Sequence, residues 1–203
     1  MNFFEPGSKN LITDIKGLFI GNSENELINT GSTILSCKDR FTASYRVLGG
    51  APGTRETDLL EPDKLVEKID ALVLSGGSAF GLEAASETVN LLRKDNKGYE
   101  VGNNKIPIVP GAIIFDLMNG GEKTWDKNPY IDLANRAYND LGSSFKLGSY
   151  GAGKGATAGN IKGGLGSASL IIDNKYTVGA LMIVNSFGSV AALGLFLGLR
   201  SRA

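Results

Sequence analysis

The sequence predicts a single α+β domain, and three observations predict it. Its 203 residues are 42% apolar, enough for one sizeable core and short for two. Short apolar runs bounded by glycine read as strands, while two longer stretches repeat apolar residues at helical spacing. Strands and helices come in runs without strict alternation, which favours α+β layers over a doubly wound sheet. No internal repeat or linker divides the chain.

Taken in order, LFIG at 18–21, STILSC at 32–37, TASYRVL at 42–48 and ALVLS at 71–75 are the first predicted strands. After LSGGS, the residues Phe80, Leu82, Ala85, Val89 and Leu92 mark a buried helix over 79–95 that leaves a glycine turn. A strand running into such a turn leaves backbone N–H groups free to hold an anion or a carbonyl, and close helix–strand packing explains the glycines equally well. IPIVPGAIIFDL is an extended run stiffened by Pro107 and Pro110, and YIDLANRAYNDLG is a second helix closed by Gly142. GSASLIID and KYTVGALMIVNS form a hairpin around Asp173 and Asn174.

Composition narrows the chemistry. Lys plus Arg and Asp plus Glu each total 21, so no net field favours nucleic acid or an anionic membrane, and a small ligand fits better. The N-terminus lacks a secretory pattern and the single Cys37 has no internal disulfide partner, so a cytoplasmic location is expected. Histidine is absent. That removes Ser-His-Asp triads, Cys-His dyads and the common His-containing zinc sites, and no metal or other cofactor is expected. A hydrolytic nucleophile here must be activated by a lysine, a carboxylate or a free α-amine, whose ordinary pKa near ~8 suits a general base.

Three motifs carry weak alternatives. GSYGAGKG at 148–155 resembles a phosphate-binding loop, but Gly155 stands where Ser or Thr must coordinate magnesium, and the glycine-rich GATAGNIKGG that follows is a poor helix. The GxGxxA spacing of Gly153, Gly155 and Ala158 lacks the strand and helix of a dinucleotide fingerprint. From Thr177 to Leu199 no residue is charged, a length that could span a bilayer, yet Asn185, Ser186 and Ser189 near its middle and a β-branched first half argue for a strand. GGAPGTRETD at 49–58, with Arg55, reads as a solvated loop.

The sharpest anomaly is IVNSFGSV at 183–190, an apolar strand interrupted by an amide and a hydroxyl. Asn185 and Ser186 are either satisfied core residues or the chemistry itself.

GGAPGTRETDLL, LSGGSAFGLEAA, IPIVPGAIIFDL, GAGKGATAG followed by KGGLGSAS, and VGALMIVNSFG occur in this order between about Leu11 and Val190. Together they resemble the self-processing N-terminal-nucleophile amidohydrolases that include D-aminopeptidases, β-aminopeptidases and nylon-oligomer (6-aminohexanoate) hydrolases. The resemblance implies a four-layer αββα sandwich whose precursor cuts itself before a Ser or Thr, here at Asn185–Ser186, with Ser186 as the catalytic nucleophile. It further implies oxyanion or substrate contacts from Ser149, where relatives often have Asn, and from the region of Phe80, where some have Tyr. Asn160 is a substitute donor, and Lys154 is unusual for its position. A small peptide or amide substrate and a homo-oligomer, if the chain is complete, follow from the same resemblance.

One departure remains. Relatives continue through further strands and helices, whereas AALGLFLGLRSRA at 191–203 resembles nothing in the family and reads as a truncated or frame-shifted end. The expected organisation is one α-part domain over 1–190, with the β part beginning at Ser186, and an apolar tail over 191–203. The sandwich is then incomplete, and the alternative function is a non-catalytic remnant or interaction domain retaining the α-part fold.

Overall fold

The structure, a computed structural model, describes residues 3–188 and the backbone of 191–192 and 195–196, which pair with each other. In chain order its other strands are β1 (Phe4–Pro6), β2 (Leu18–Asn25), β3 (Thr30–Phe41), β4 (Thr54–Arg55), β5 (Ile69–Ser75), β6 (Tyr99–Val101), β7 (Asn104–Ile106), β8 (Gly111–Ile113), β9 (Thr157–Ala158), β10 (Ile161–Lys162), β11 (Gly164–Ile172) and β12 (Tyr176–Val184). Two helices, α1 (Glu83–Lys94) and α2 (Tyr130–Asn139), complete the regular structure of the described residues.

A five-stranded sheet in the order β2-β3-β5-β8-β4 is the centre of the fold. β5 and β8 pair in parallel, Val73 opposite Gly111, and α1 lies in the connection between them; the remaining pairs are antiparallel. α1 and α2 bury one face of this sheet. Ile34, Ala71 and Val73 from the strands meet Ala84, Ala85 and Leu92 of α1 and Tyr130, Leu133, Ala134 and Ala137 of α2 in one core. Alternate strand residues Leu35, Leu72 and Leu74 point the other way, because successive side chains take opposite faces, and they share a cavity of about 510 Å³ with Gly179 and Leu181 of β12.

β12 belongs to a second sheet, ordered β1-β11-β12, that lies over the open face of the first. The layers described are therefore helix, sheet and sheet, three of the four expected for αββα. The β11–β12 register explains which face turns inward. Leu165 pairs with Ile183 and Ser167 with Leu181 on the side of the first sheet, while Leu170 with Val178 and Gly166 with Met182 share the opposite side. Val178 and Met182 are more than half exposed there.

The hairpin turns at Asp173 and Asn174, both at φ 51°, the paired left-handed conformation that suits a two-residue hairpin turn. Several expected elements differ. Residues 42–48 form no strand: Phe41 already pairs with Ile69, the first residue of β5, so the antiparallel ladder offers TASYRVL no further partner. The first helix begins as a 3-10 turn, Ser78–Leu82, and becomes α-helical at Glu83. Gly142 does not cap α2; its N–H and carbonyl pair with Ile20 at 3.0 and 2.9 Å. Nor is 49–58 simply a solvated loop, since β4 pairs with β8 and half-buried Arg55 donates to the Ser86 hydroxyl of α1.

Candidate active site

The apolar strand β12 ends at Val184, and the next residue takes its side chain into a cluster of polar loops. Oδ1 of Asn185 accepts from the Thr157 N–H at 2.9 Å and from Nδ2 of Asn119 at 3.3 Å, while its own Nδ2 donates to the Phe115 carbonyl at 3.1 Å. An N–H donor on one side and a carbonyl on the other leave only one orientation for the amide. Asn185 thus makes three side-chain hydrogen bonds that join the end of β12 to the 115–119 loop and to Thr157.

Ser186 differs in exposure. Its backbone carbonyl accepts from the Gly159 N–H at 3.0 Å, its Oγ donates to the Gly188 carbonyl at 2.9 Å, and the residue is solvent-exposed. Position 187, a fully exposed Phe187, continues away from the sheet. The hydroxyl therefore stands at the rim, while the amide beside it is anchored.

The anchors are themselves held by a buried polar network. Asp116 is completely buried and accepts from the Gly77 N–H at 2.7 Å and from the Thr30 hydroxyl at 2.6 Å. Because the Thr30 proton goes to the carboxylate, the Tyr130 hydroxyl 3.0 Å away donates to Thr30; burial pushes the Tyr130 phenol well above its ordinary pKa. The LSGGS turn thus does hold an anion, and the anion is the protein's own carboxylate. Its Gly77 sits at φ +85°, with the Tyr130 ring where a Cβ would go.

From Asp116 the chain turns so that the Asn119 N–H donates to the Asp116 carbonyl at 3.1 Å. Lys123 straps the same loop to the β2–β3 turn by donating to the Ile28 and Asn29 carbonyls, and burial lowers its pKa despite the opposing influence of Asp116. Lys162 is shifted down mainly by burial and then by Lys154.

Of the residues singled out from sequence, Asn185, Ser186 and Asn160 come together, since Asn160 follows Gly159 in the turn between β9 and β10. Ser149 follows Gly148, which pairs with Leu165 on the side of β11 away from β12. The structure shows no hydrogen bond from the Ser149 side chain to Asn185 or Ser186 among the described residues. Phe80 is half exposed, packs edge-to-face on Trp125 at 5.8 Å, and with Leu117, Lys123, Thr124 and Asp126 lines a separate cleft of about 730 Å³. Lys154 pairs with Glu26. The residues missed were Asp116 and Asn119. They carry the same signal that exposed Asn185, polar groups closing an apolar run, in IIFDLMNGG.

The glycine-rich 148–155 stretch spends its amides within the protein. Gly151 N–H donates to Glu24 at 2.9 Å and Ala152 N–H to the Thr33 hydroxyl at 3.0 Å, and a Cβ at Gly155 would lie 2.5 Å from the Asn29 carbonyl. No cradle for phosphate remains there. No helix among the described residues is long and apolar enough to cross a membrane; the first half of the uncharged run is β12.

A helix-backed sheet thus faces a second sheet, and the Asn185–Ser186 pair follows the end of β12, the edge strand of that second sheet among the described residues. The chain belongs to peptidase family S58, whose profile matches residues 10–201. It is 39% identical over 189 residues to a Mycobacterium bovis protein named as an uncharacterized aminopeptidase, covering 89% of this chain and 54% of that protein. The chain thus spans about half the length of the curated relatives it matches. Among solved structures it superposes on a Burkholderia sp. beta-aminopeptidase with TM-score 0.75 at 20% identity, covering 92% of this chain and 55% of that one. The L-aminopeptidase D-Ala-esterase/amidase from Ochrobactrum anthropi gives TM-score 0.72 at 20% identity, with 98% and 60% covered, and is described as a variant of the Ntn hydrolase fold. At these identities both show the shared fold.

Proposed function

We propose that the Asn185–Ser186 bond is the site of an autocatalytic cut and that Ser186 is afterwards the nucleophile of an aminopeptidase-like amidohydrolase acting on small amino-terminal substrates. The observation that carries this reading is the contrast across one peptide bond: the Asn185 amide is held by three hydrogen bonds, to the 115–119 loop and to Thr157, while the Ser186 hydroxyl stands exposed beside it.

In the first reaction Ser186 Oγ attacks the Asn185 carbonyl carbon, its proton passes to the departing amide nitrogen, and an ester replaces the amide. Water then hydrolyses the ester, releasing the Asn185 carboxylate and a Ser186 with free α-amine and free hydroxyl. The bond from Ser186 Oγ to the Gly188 carbonyl must break before attack. In the second reaction the freed amine takes the Oγ proton, directly or through water, as the hydroxyl attacks substrate; this supplies the base that a chain without histidine otherwise lacks.

The developing oxyanion needs donors aimed at the Asn185 carbonyl and then at the substrate carbonyl. The Gly159 N–H is taken by the Ser186 carbonyl and so holds the nucleophile residue, which leaves Asn160 in the same turn and Ser149 as the expected oxyanion or substrate donors. Phe80 has no side-chain hydroxyl, so its contribution is to the wall of the neighbouring aromatic cleft. In this reading residues 1–190 are one α-part domain with the β part starting at Ser186, and a cytoplasmic homo-oligomer is the expected working form.

The second reading, a non-catalytic domain retaining the α-part fold, is favoured by the outer face of β11–β12, where Val178 and Met182 lie exposed. Intact-mass measurement separates the two, in the 203-residue chain and in a chimera extended with the C-terminal half of the M. bovis relative. A fragment beginning at Ser186, absent from Ser186→Ala, supports the cut. Cutting that persists in Ser186→Ala would remove the assignment, and failure of both parent forms to cut would favour the non-catalytic domain.

A further inference from the structure

The geometry points to Asn119 as a positioning residue for the 185–186 bond, an inference that rests on the nucleophile reading above. Its Nδ2 carries two protons and has two acceptors, the Gly155 carbonyl at 2.8 Å and Oδ1 of Asn185 at 3.3 Å. Its carbonyl accepts from Nδ2 of Asn29 at 2.7 Å, and its N–H donates to the Asp116 carbonyl at 3.1 Å.

The backbone N–H and carbonyl of Asn119 and its Nδ2 bond to Gly155 thereby tie it to the Asp116 loop, the β2–β3 turn and the glycine stretch at 155. It is the side-chain donor in the set that orients Asn185, the Thr157 N–H and the Phe115 carbonyl being backbone. This contact adds a side-chain hold to the two backbone bonds that orient the Asn185 amide, and so restrains the carbonyl carbon two bonds from its Cβ relative to the Ser186 hydroxyl. Proximity reactions lose rate steeply when the reacting atoms are displaced by about an ångström. Asn119 touches no reacting atom, so its effect falls on the rate of cutting.

Two measurements test this. In the 203-residue chain, Asn119→Ala slows the appearance of the Ser186-initiated fragment by on the order of ten- to a hundredfold. Asn119→Asp is comparably slow at neutral pH, because a carboxylate cannot donate to Oδ1. Its rate relative to the parent recovers as the pH falls toward about 4, where the carboxyl regains a proton; a merely structural loss of stability would not give that recovery while the melting temperature falls.

The second measurement is independent of cutting. In the Ser186→Ala chain, the Nδ2 proton of Asn185 that is bonded to the Phe115 carbonyl gives a resolved, slowly exchanging side-chain amide signal, and adding Asn119→Ala speeds its exchange. Unchanged Asn185 signals, or a parental cutting rate in Asn119→Ala, would overturn the inference. If neither the 203-residue chain nor the chimera cuts, the nucleophile reading fails on its own, and the amide signals alone decide whether Asn119 anchors Asn185.

Discussion

The Thr157 N–H and Oδ1 of Asn185 lie 2.9 Å apart across 28 residues of sequence, closing the end of β12 onto β9. Replacing Asn185 with Ala leaves that N–H and the Phe115 carbonyl without their partner, a loss of about 1–2 kcal/mol. Urea denaturation of Asn185→Ala should show a lower midpoint with unchanged slope. A midpoint equal to the parent's would mean that water satisfies both groups and the amide anchors nothing.

Substitution at Ser186 should grade the cut by nucleophile. Ser186→Cys should retain it, the thiolate being the stronger nucleophile, Ser186→Thr should retain part of it, and Ser186→Ala none. Time courses of fragment formation by mass spectrometry rank the three, and an Ala variant as fast as Thr would refute the order.

Asp116 is the most sensitive polar position in the core. Asp116→Ala strands the Gly77 N–H and the Thr30 hydroxyl, both bound to a charged acceptor, and should cost about 3 kcal/mol. Tyr130→Phe removes one outer bond of the same network and should cost about 1 kcal/mol. Denaturation midpoints that place the two variants together would show that the network is not organised around the carboxylate.

Stability should fall on the acid side through Asp14. The Ser169 hydroxyl, at 2.6 Å, together with the Lys9 and Leu11 N–H groups and Ser8, holds this carboxyl below its ordinary value of 3.8. A depressed carboxyl contributes stability that is complete above the unfolded value and disappears as pH drops through the folded one. Melting temperatures of Asp14→Asn should therefore be flatter than the parent's below pH about 4, with the difference between them widening as pH rises.

Nucleotides should not bind at 148–155, where Glu24 and Thr33 already take the amides. Millimolar ATP with magnesium should leave the melting temperature unchanged. A rise that Lys154→Ala abolishes would contradict this.

Local sequence determined the elements whose cause is local. Short apolar runs bounded by glycine gave β2, β3, β5, β11 and β12, helical spacing gave α1 and α2, and Asp173-Asn174 gave the hairpin turn, because each depends on side chains a few residues apart. It also marked Asn185 and Ser186, since an amide and a hydroxyl interrupting an apolar strand are visible without any fold. Tertiary structure decided what those residues meet. TASYRVL has strand-like residues but no partner edge, since β5 begins at Ile69 opposite Phe41, and the LSGGS turn holds an anion only because Asp116 arrives 39 residues later in the chain. Asn119 was illegible for the same reason: its role is a hydrogen bond to a residue 66 positions away, and only the folding of β12 beside the Asp116 loop brings the two side chains together.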